Sequence, residues 1–203
     1  MSPSALDREL LVSVDIETSG PTPGTGSLVA IGACLVHEPE TTCYLEVRPV
    51  EGLPWQLAAE RIQGVGRAHL AEHGMAPSEA MATFRAWLER AAAERAAHPV
   101  FVGFNAAFDW MFVADYLERF TGGNPFGHSA LDLKALYMGR EAVARWDETT
   151  KGHVLARYPV ALPHTHQALD DALMQAALAR ALLARPSAAQ QTSAGQGPAN
   201  QPV

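Results

Sequence analysis

The chain has 203 residues, 48% hydrophobic and 18% charged, a composition that excludes a wholly disordered or fibrous chain and allows one sizeable core. Its two cysteines exclude a disulfide-stapled secreted scaffold, and no apolar run reaches the ~18 residues of a membrane helix. Fifteen basic residues stand against 22 acidic ones, for a net charge of -7; the usual basic footprint of a nucleic-acid binder is missing, and tight binding to long duplex is disfavoured. Any nucleic-acid role must rest on a local site, with metal ions supplying positive charge. The opening MSPSALDREL has neither the basic start nor the apolar stretch of a signal peptide, so the cytoplasm is the expected compartment.

In chain order, residues 1–8 read as loose and LLVSVDI (10–16) as a buried central strand. SGPTPGTG is turn chemistry, and SLVAIGACLV (27–36) is a second buried strand. TCYLEVRP alternates Leu45 and Val47 with Glu46 and Arg48, giving a half-buried third strand that pairs antiparallel through a hairpin. WQLAAERI reads as a short helix and GVGRAHLAEHG as a loop with a further helical turn. EAMATFRAWLERAAAERAA places Met81, Phe84, Leu88 and Ala91 on one stripe, with Ser78 as the expected N-cap. PVFVGF (99–104) is a fourth strand. NAAFDWMFVADYLERF is a helix with Phe108, Met111, Phe112 and Tyr116 or Leu117 facing inward. HSALDL gives a fifth strand, KALYMGR a short helix, and LDDALMQAALARALLAR a long last helix. Residues 9–185 are expected to form one α/β domain and 186–203, PSAAQQTSAGQGPANQPV, a disordered tail. The order of elements predicts a mixed sheet with helices on both faces. Cys34 and Cys43 fall in neighbouring strands and read as small buried residues, with no zinc spacing between them.

The first strand ends in Asp15 and Glu17, which alternation puts on one face. Two like charges there repel, and burial worsens the repulsion. A divalent cation would relieve it, since carboxylate oxygens suit hard ions; simple solvation of a strand end is the other reading. Asp109 sits in the first turns of a helix, where it could equally complement the helix dipole. Asp170 and Asp171 open the last helix, and Asp170 fits that dipole role well. His164 and His166 lie just upstream, in a loop.

Taken together in this order, the three segments are far more specific. VSVDIETSG resembles the first motif of the DEDDh 3′–5′ exonucleases, the DnaQ-like, ribonuclease T-like branch of the ribonuclease H-like superfamily. GFNAAFDW is similar to the second motif, N-x-x-F-D, and HQALDDA to the third, H-x-A-L-x-D-A. The likeness spans residues 9 to 185. It implies a five-stranded ribonuclease H-like sheet, its first three strands antiparallel and the rest parallel. It also implies four acids, Asp15, Glu17, Asp109 and Asp171, holding two divalent cations, Mg2+ or Mn2+, and His166 as general base. His166 stands five residues before Asp171, the spacing the motif requires; His164 fails it, and Asp170 is one residue short. Tyr158, the one nearby tyrosine, is too far upstream to mark the sister class with tyrosine in the histidine's place.

The resemblance further implies stepwise hydrolysis of single-stranded nucleic acid from its 3′ end, releasing nucleoside 5′-monophosphates by two-metal catalysis. Thr18 and Phe108 would line the terminal nucleotide's pocket, together with Gly64. One departure falls there: the family's I-H-G-I segment reads Ile62, Gln63, Gly64, Val65. Phe104, Trp110 and Phe112 offer further stacking faces, although their spacing suits a core. Lys134, Arg140 and Lys151 are candidate phosphate contacts or plain surface charges. The short chain is more similar to the ribonuclease T and oligoribonuclease types, relatives of which are often homodimers. RNA and DNA are not separated, with single-stranded RNA the leaning. A proofreading subunit docked on a polymerase and a non-catalytic nucleic-acid binder are the alternatives; the presence of all five chemical groups argues against the second.

Overall fold

The computed structural model describes residues 8–56, 66–160 and 167–184. Five strands form one mixed sheet in the order β3-β2-β1-β4-β5. They are β1 (Glu9–Thr18), β2 (Leu28–Leu35), β3 (Thr42–Glu46), β4 (His98–Gly103) and β5 (Ala130–Asp132). β1 pairs antiparallel with β2 and β2 with β3, whereas β4 runs parallel to both β1 and β5. This is the mixed arrangement of the ribonuclease H-like fold. Among the described residues six helices accompany the sheet: α1 (Arg67–His73), α2 (Pro77–Arg95), α3 (Ala106–Thr121), α4 (Leu133–Glu141), α5 (Lys151–Arg157) and α6 (Ala168–Ala184). None is long and apolar enough to cross a membrane, among the described residues.

The alternation of β1 decides which helix covers which face. Leu10, Val12, Val14 and Ile16 point into one core with Ile31 and Leu35 of β2 and Phe101 of β4, covered by α2 and α3. The opposite face meets α6: the Ser13 hydroxyl donates to the Ala172 carbonyl at 2.8 Å. There a second core gathers Cys34, Val102, Leu133, Tyr137 and Val154 under Leu178 and Leu182. Each fully buried Leu, Ile or Phe contributes ~1.5–3 kcal/mol, so both helical layers are held by side chains that alternate along the same strands.

Met81, Phe84, Leu88 and Ala91 of α2 are buried as their spacing predicts. The N-cap differs from expectation. The helix begins at Pro77 after Ala76, and Ser78 lies inside it; proline at the first helical position has its φ already set and lacks only an N–H that would have no intrahelical partner. In α3 both Tyr116 and Leu117 are fully buried with Phe112 and Val113, while Phe108 and Met111 pack half-buried on the same core. Cys34 is buried, but Cys43 is only half-buried, because it lies on the outer strand β3. The helix expected over 55–62 falls almost wholly outside the described residues, and the expected tail 186–203 wholly so. Two elements were not anticipated: a 3-10 turn at Trp146–Thr149 and α5, whose N-cap is Thr150.

Candidate active site

β1 ends at a register irregularity between Glu17 and Thr18, a break of the kind common beside functional sites. Asp15 and Glu17 occupy the face that meets α6. Asp15 lies opposite Gly32 of β2, and this pairing brings the third motif in. A Cβ on Gly32 would stand 2.2 Å from the backbone carbon of Ala168 and 2.3 Å from the nitrogen of Leu169. The start of α6 therefore rests on bare backbone beside Asp15, and Asp171, 4% exposed, follows within one turn.

The second motif arrives from the parallel side. The β1–β4 pairing stops at Ser13 and Val102, so the Ile16 amide lies beyond the ladder. It donates to Asp109 Oδ1 at 3.1 Å. The start of α3 is fixed by Asn105 in the left-handed region (φ 64) and by Asp132, whose Oδ2 accepts from the Ala106 amide at 2.8 Å. The other oxygen of Asp132 caps α4, accepting from Lys134 N at 2.7 Å and Ala135 N at 3.1 Å.

Packing carboxylates this closely has an electrostatic cost. Burial, then repulsion from Asp109, Asp171 and Glu17, holds the Asp15 carboxyl well above its ordinary range. Burial and the charges of Asp171 and Asp109 push Glu17 up to about 8. Burial raises Asp109 to about 7 against the opposing pull of its hydrogen bond from Ile16. The cation that relieves all three is Lys151, at the start of α5; its Nζ lies 5.9 Å from the centre of the Phe104 ring. Among the described residues no three His, Cys, Asp or Glu side chains are already gathered as a metal-holding group. Asp15 and Asp109 instead satisfy hydrogen bonds to Gln175 and Ile16. The chemistry of the donor set nonetheless fits hard divalent cations: oxygen-only donors, Asp109 and Asp171 buried and Asp15 and Glu17 half-buried, mutually repelling until positive charge is supplied.

The remaining sequence candidates divide. His166 and Gly64 lie outside the described residues, as does His164. Thr18 is buried at the end of β1, its hydroxyl donating to the Gly20 carbonyl at 2.9 Å. Phe108 rests half-buried on Phe112, ring centres 5.5 Å apart. Phe112 is fully buried, and Trp110 packs edge-on to Phe101 at 5.3 Å, so neither is an open stacking platform. Lys134 sits over the Trp146 ring at 4.2 Å rather than toward the acids. Arg140 carries a buried Nε without a hydrogen-bond partner among the described residues. Three residues that bear on the site were not singled out from sequence: Gly32, Asp132 and Gln175. Only Asp132 had a readable signal, an acid directly before a helical run.

A sheet of this topology, with acids from three separated segments at the end of its central strand, agrees with a DEDDh-type exonuclease. The model of the exonuclease family of ribonuclease T type matches residues 12–179. The chain belongs to that family and is a 3′–5′ exonuclease. Among curated proteins it is similar to the 3′-5′ DNA exonuclease Cap18 of Escherichia coli, 41% identical over 177 residues that cover 85% of this chain and 90% of the relative. Solved structures share the fold at low identity. The nuclease domain of 3′hExo, a DEDDh family member bound to rAMP, superposes with a TM-score of 0.71 at 13% identity, covering 88% of this chain and 93% of that one. Exonuclease I of E. coli, in complex with a 5cy-dA13 oligonucleotide, gives 0.65 at 18% identity over 88% of this chain and 41% of that one.

Proposed function

We propose that this enzyme removes nucleotides one at a time from the 3′ end of single-stranded DNA, releasing nucleoside 5′-monophosphates. The observation that carries the reading is the convergence at one end of β1: Asp15 and Glu17 share a strand face, Asp109 accepts from the Ile16 amide, and Asp171 lies in the first turn of the helix seated on Gly32. DNA replaces the earlier leaning to RNA because the 41% identical relative is named a DNA exonuclease. The net charge of -7 favours a single-stranded end over long duplex, where neutralising phosphates dominates affinity.

Asp15, Glu17, Asp109 and Asp171 would hold a pair of divalent cations, Mg2+ or Mn2+. Bound there, such ions supply the charge that offsets four carboxylates and a phosphodiester and lower the pKa of water. The chain's own residues do the rest. His166 accepts the proton of the attacking water, a role an imidazole side chain suits near neutrality. The oxygen of that water bonds to phosphorus as the bond to the 3′ oxygen of the penultimate nucleotide breaks, so the terminal nucleotide leaves with its 5′-phosphate. Thr18, Phe108 and Gly64 border the terminal sugar and base, and Lys151 sets a positive charge at the rim of the acidic cup.

A 5′-labelled single-stranded DNA oligonucleotide, incubated with Mg2+ or Mn2+, is expected to shorten as a ladder from its 3′ end and to be protected by chelator. The matched RNA is expected to react more slowly. Intact DNA under both metals would overturn the nuclease reading, and faster RNA degradation would overturn the choice of substrate.

A further inference from the structure

Gln175 is 1% exposed in a helix whose other buried residues, Asp171 apart, are apolar. Both ends of its carboxamide are in use. Its Oε1 accepts from the Phe104 amide at 2.9 Å, and its Nε2 donates to Asp15 Oδ1. A backbone amide can only donate, so the oxygen of the carboxamide must face Phe104; the nitrogen then faces Asp15 without ambiguity. Phe104 directly precedes Asn105, the N-cap of α3. Gln175 itself lies four residues after Asp171, on the same side of α6. One side chain thus joins the first-motif acid, the lead-in to the helix bearing Asp109, and the helix bearing Asp171.

We propose that Gln175 is a positioning residue for metal binding: it fixes the Asp15 carboxylate by hydrogen bonding Oδ1 and locks that acid to the strand leading into α3. The inference rests on the nuclease reading above and deepens it. A carboxylate that must meet two cations loses affinity if it rotates freely, and losing an outer partner of a ligating group typically costs ~10–100-fold in metal affinity or activity.

The test is Gln175→Met, which keeps the side chain's length and apolar stem and removes both hydrogen bonds. By calorimetry, Mn2+ affinity is expected to fall about 10–100-fold, and the rise in Tm on adding Mn2+ is expected to shrink. A merely structural role would lower the Tm without metal, because the Phe104 amide is left unpaired, and would leave Mn2+ affinity unchanged. Affinity within about twofold of wild type in a folded variant overturns the proposal. Should the variant not fold, the wild-type chain decides: the Gln175 side-chain amide protons are expected to exchange slowly with solvent and to shift in the NMR spectrum as Mg2+ is added. Fast exchange with no shift overturns the proposal. Wild type that binds no Mn2+ defeats the underlying nuclease reading, an outcome distinct from wild type and variant binding equally.

Discussion

Gly32→Ala adds a single carbon where α6 crosses the sheet. That carbon would lie 2.2 Å from Ala168 C, 2.3 Å from Leu169 N and 2.4 Å from Ala168 O. All three are backbone atoms of one helix start, so no side chain can swing aside. Ordinary contact needs ~3.5 Å, which requires the helix start or β2 to move by roughly 1 Å. Overpacking of this kind costs ~1–3 kcal/mol, or a fall in Tm of ~2–12 °C for a domain of this size. The larger effect falls on function. Asp171 follows the displaced residues within one turn, and Asp15 is the strand neighbour of Gly32; a misplacement of ~1 Å can cost ~100-fold in turnover. The assay pairs thermal unfolding with single-turnover cleavage of a labelled oligonucleotide. Gly139→Ala on α4 is the control, since nothing lies within 4 Å of its added carbon; it should hold or gain stability by up to ~1 kcal/mol and keep activity. Gly32→Ala with wild-type Tm and turnover within about twofold would refute the claim that bare backbone here sets the position of α6.

Asp15→Ala and Asp171→Asn are each expected to abolish turnover nearly completely and to weaken Mn2+ binding by calorimetry; unchanged affinity in either would remove that residue from the site. His166→Ala should lose ~100- to 10,000-fold in kcat, and the rise of wild-type activity with pH through the histidine titration should disappear; near-full activity would end its assignment as base. The pH dependence of stability without metal has a definite sign. Glu17 at about 8 and Asp109 at about 7 hold protons in the folded state that the unfolded chain releases near pH 4. Stability is therefore not penalised by them below about pH 4 and falls as pH rises toward 7–8. Added Mg2+ replaces those protons, so its effect on Tm should be larger at pH 8.5 than at pH 6, and equal increments would contradict the raised carboxyls.

Much of this site is legible in the sequence because each motif carries its own local geometry. D-x-E at the end of an apolar run declares two acids on one strand face, and β1 places Asp15 and Glu17 there. N-x-x-F-D after a β-rich run declares a strand leading into a helix, as at Phe104 to Asp109. What was not legible depends on contacts between segments. Gly32 interrupts an apolar run and reads as a weak point in a strand; its role appears only when α6 lies against it. Gln175 reads as a lone polar residue on an apolar helix, and its partners, Asp15 and Phe104, are 160 and 71 residues away. The α5 helix escaped notice because TKGHVLARY offers one turn of pattern with a glycine in it, too little for periodicity to register, although Thr150 caps it through the His153 amide.

The acids repel, so something else must hold them together while no cation is bound. The two cores supply that force from opposite faces of the same strand. Val12, Val14 and Ile16 anchor β1 to α3, which carries Asp109. On the other face the Ser13 hydroxyl and the Cys34 thiol both reach the Ala172 carbonyl, at 2.8 and 3.6 Å, clamping α6 one residue beyond Asp171. Each helix is thus fastened to the sheet within a few residues of the acid it delivers. Apolar burial and buried hydrogen bonds near the site hold the acids side by side, and the raised Glu17 and Asp109 limit the repulsion by keeping protons until a cation replaces them. The same placement explains why the cluster sits at the end of β1 and not in its middle. Only beyond Val102 does the parallel ladder stop, freeing the Ile16 amide for Asp109. Had β4 continued two residues further alongside β1, that amide would have been available to the ladder instead, and Asp109 would have lost the donor that anchors it beside Asp15 and Glu17.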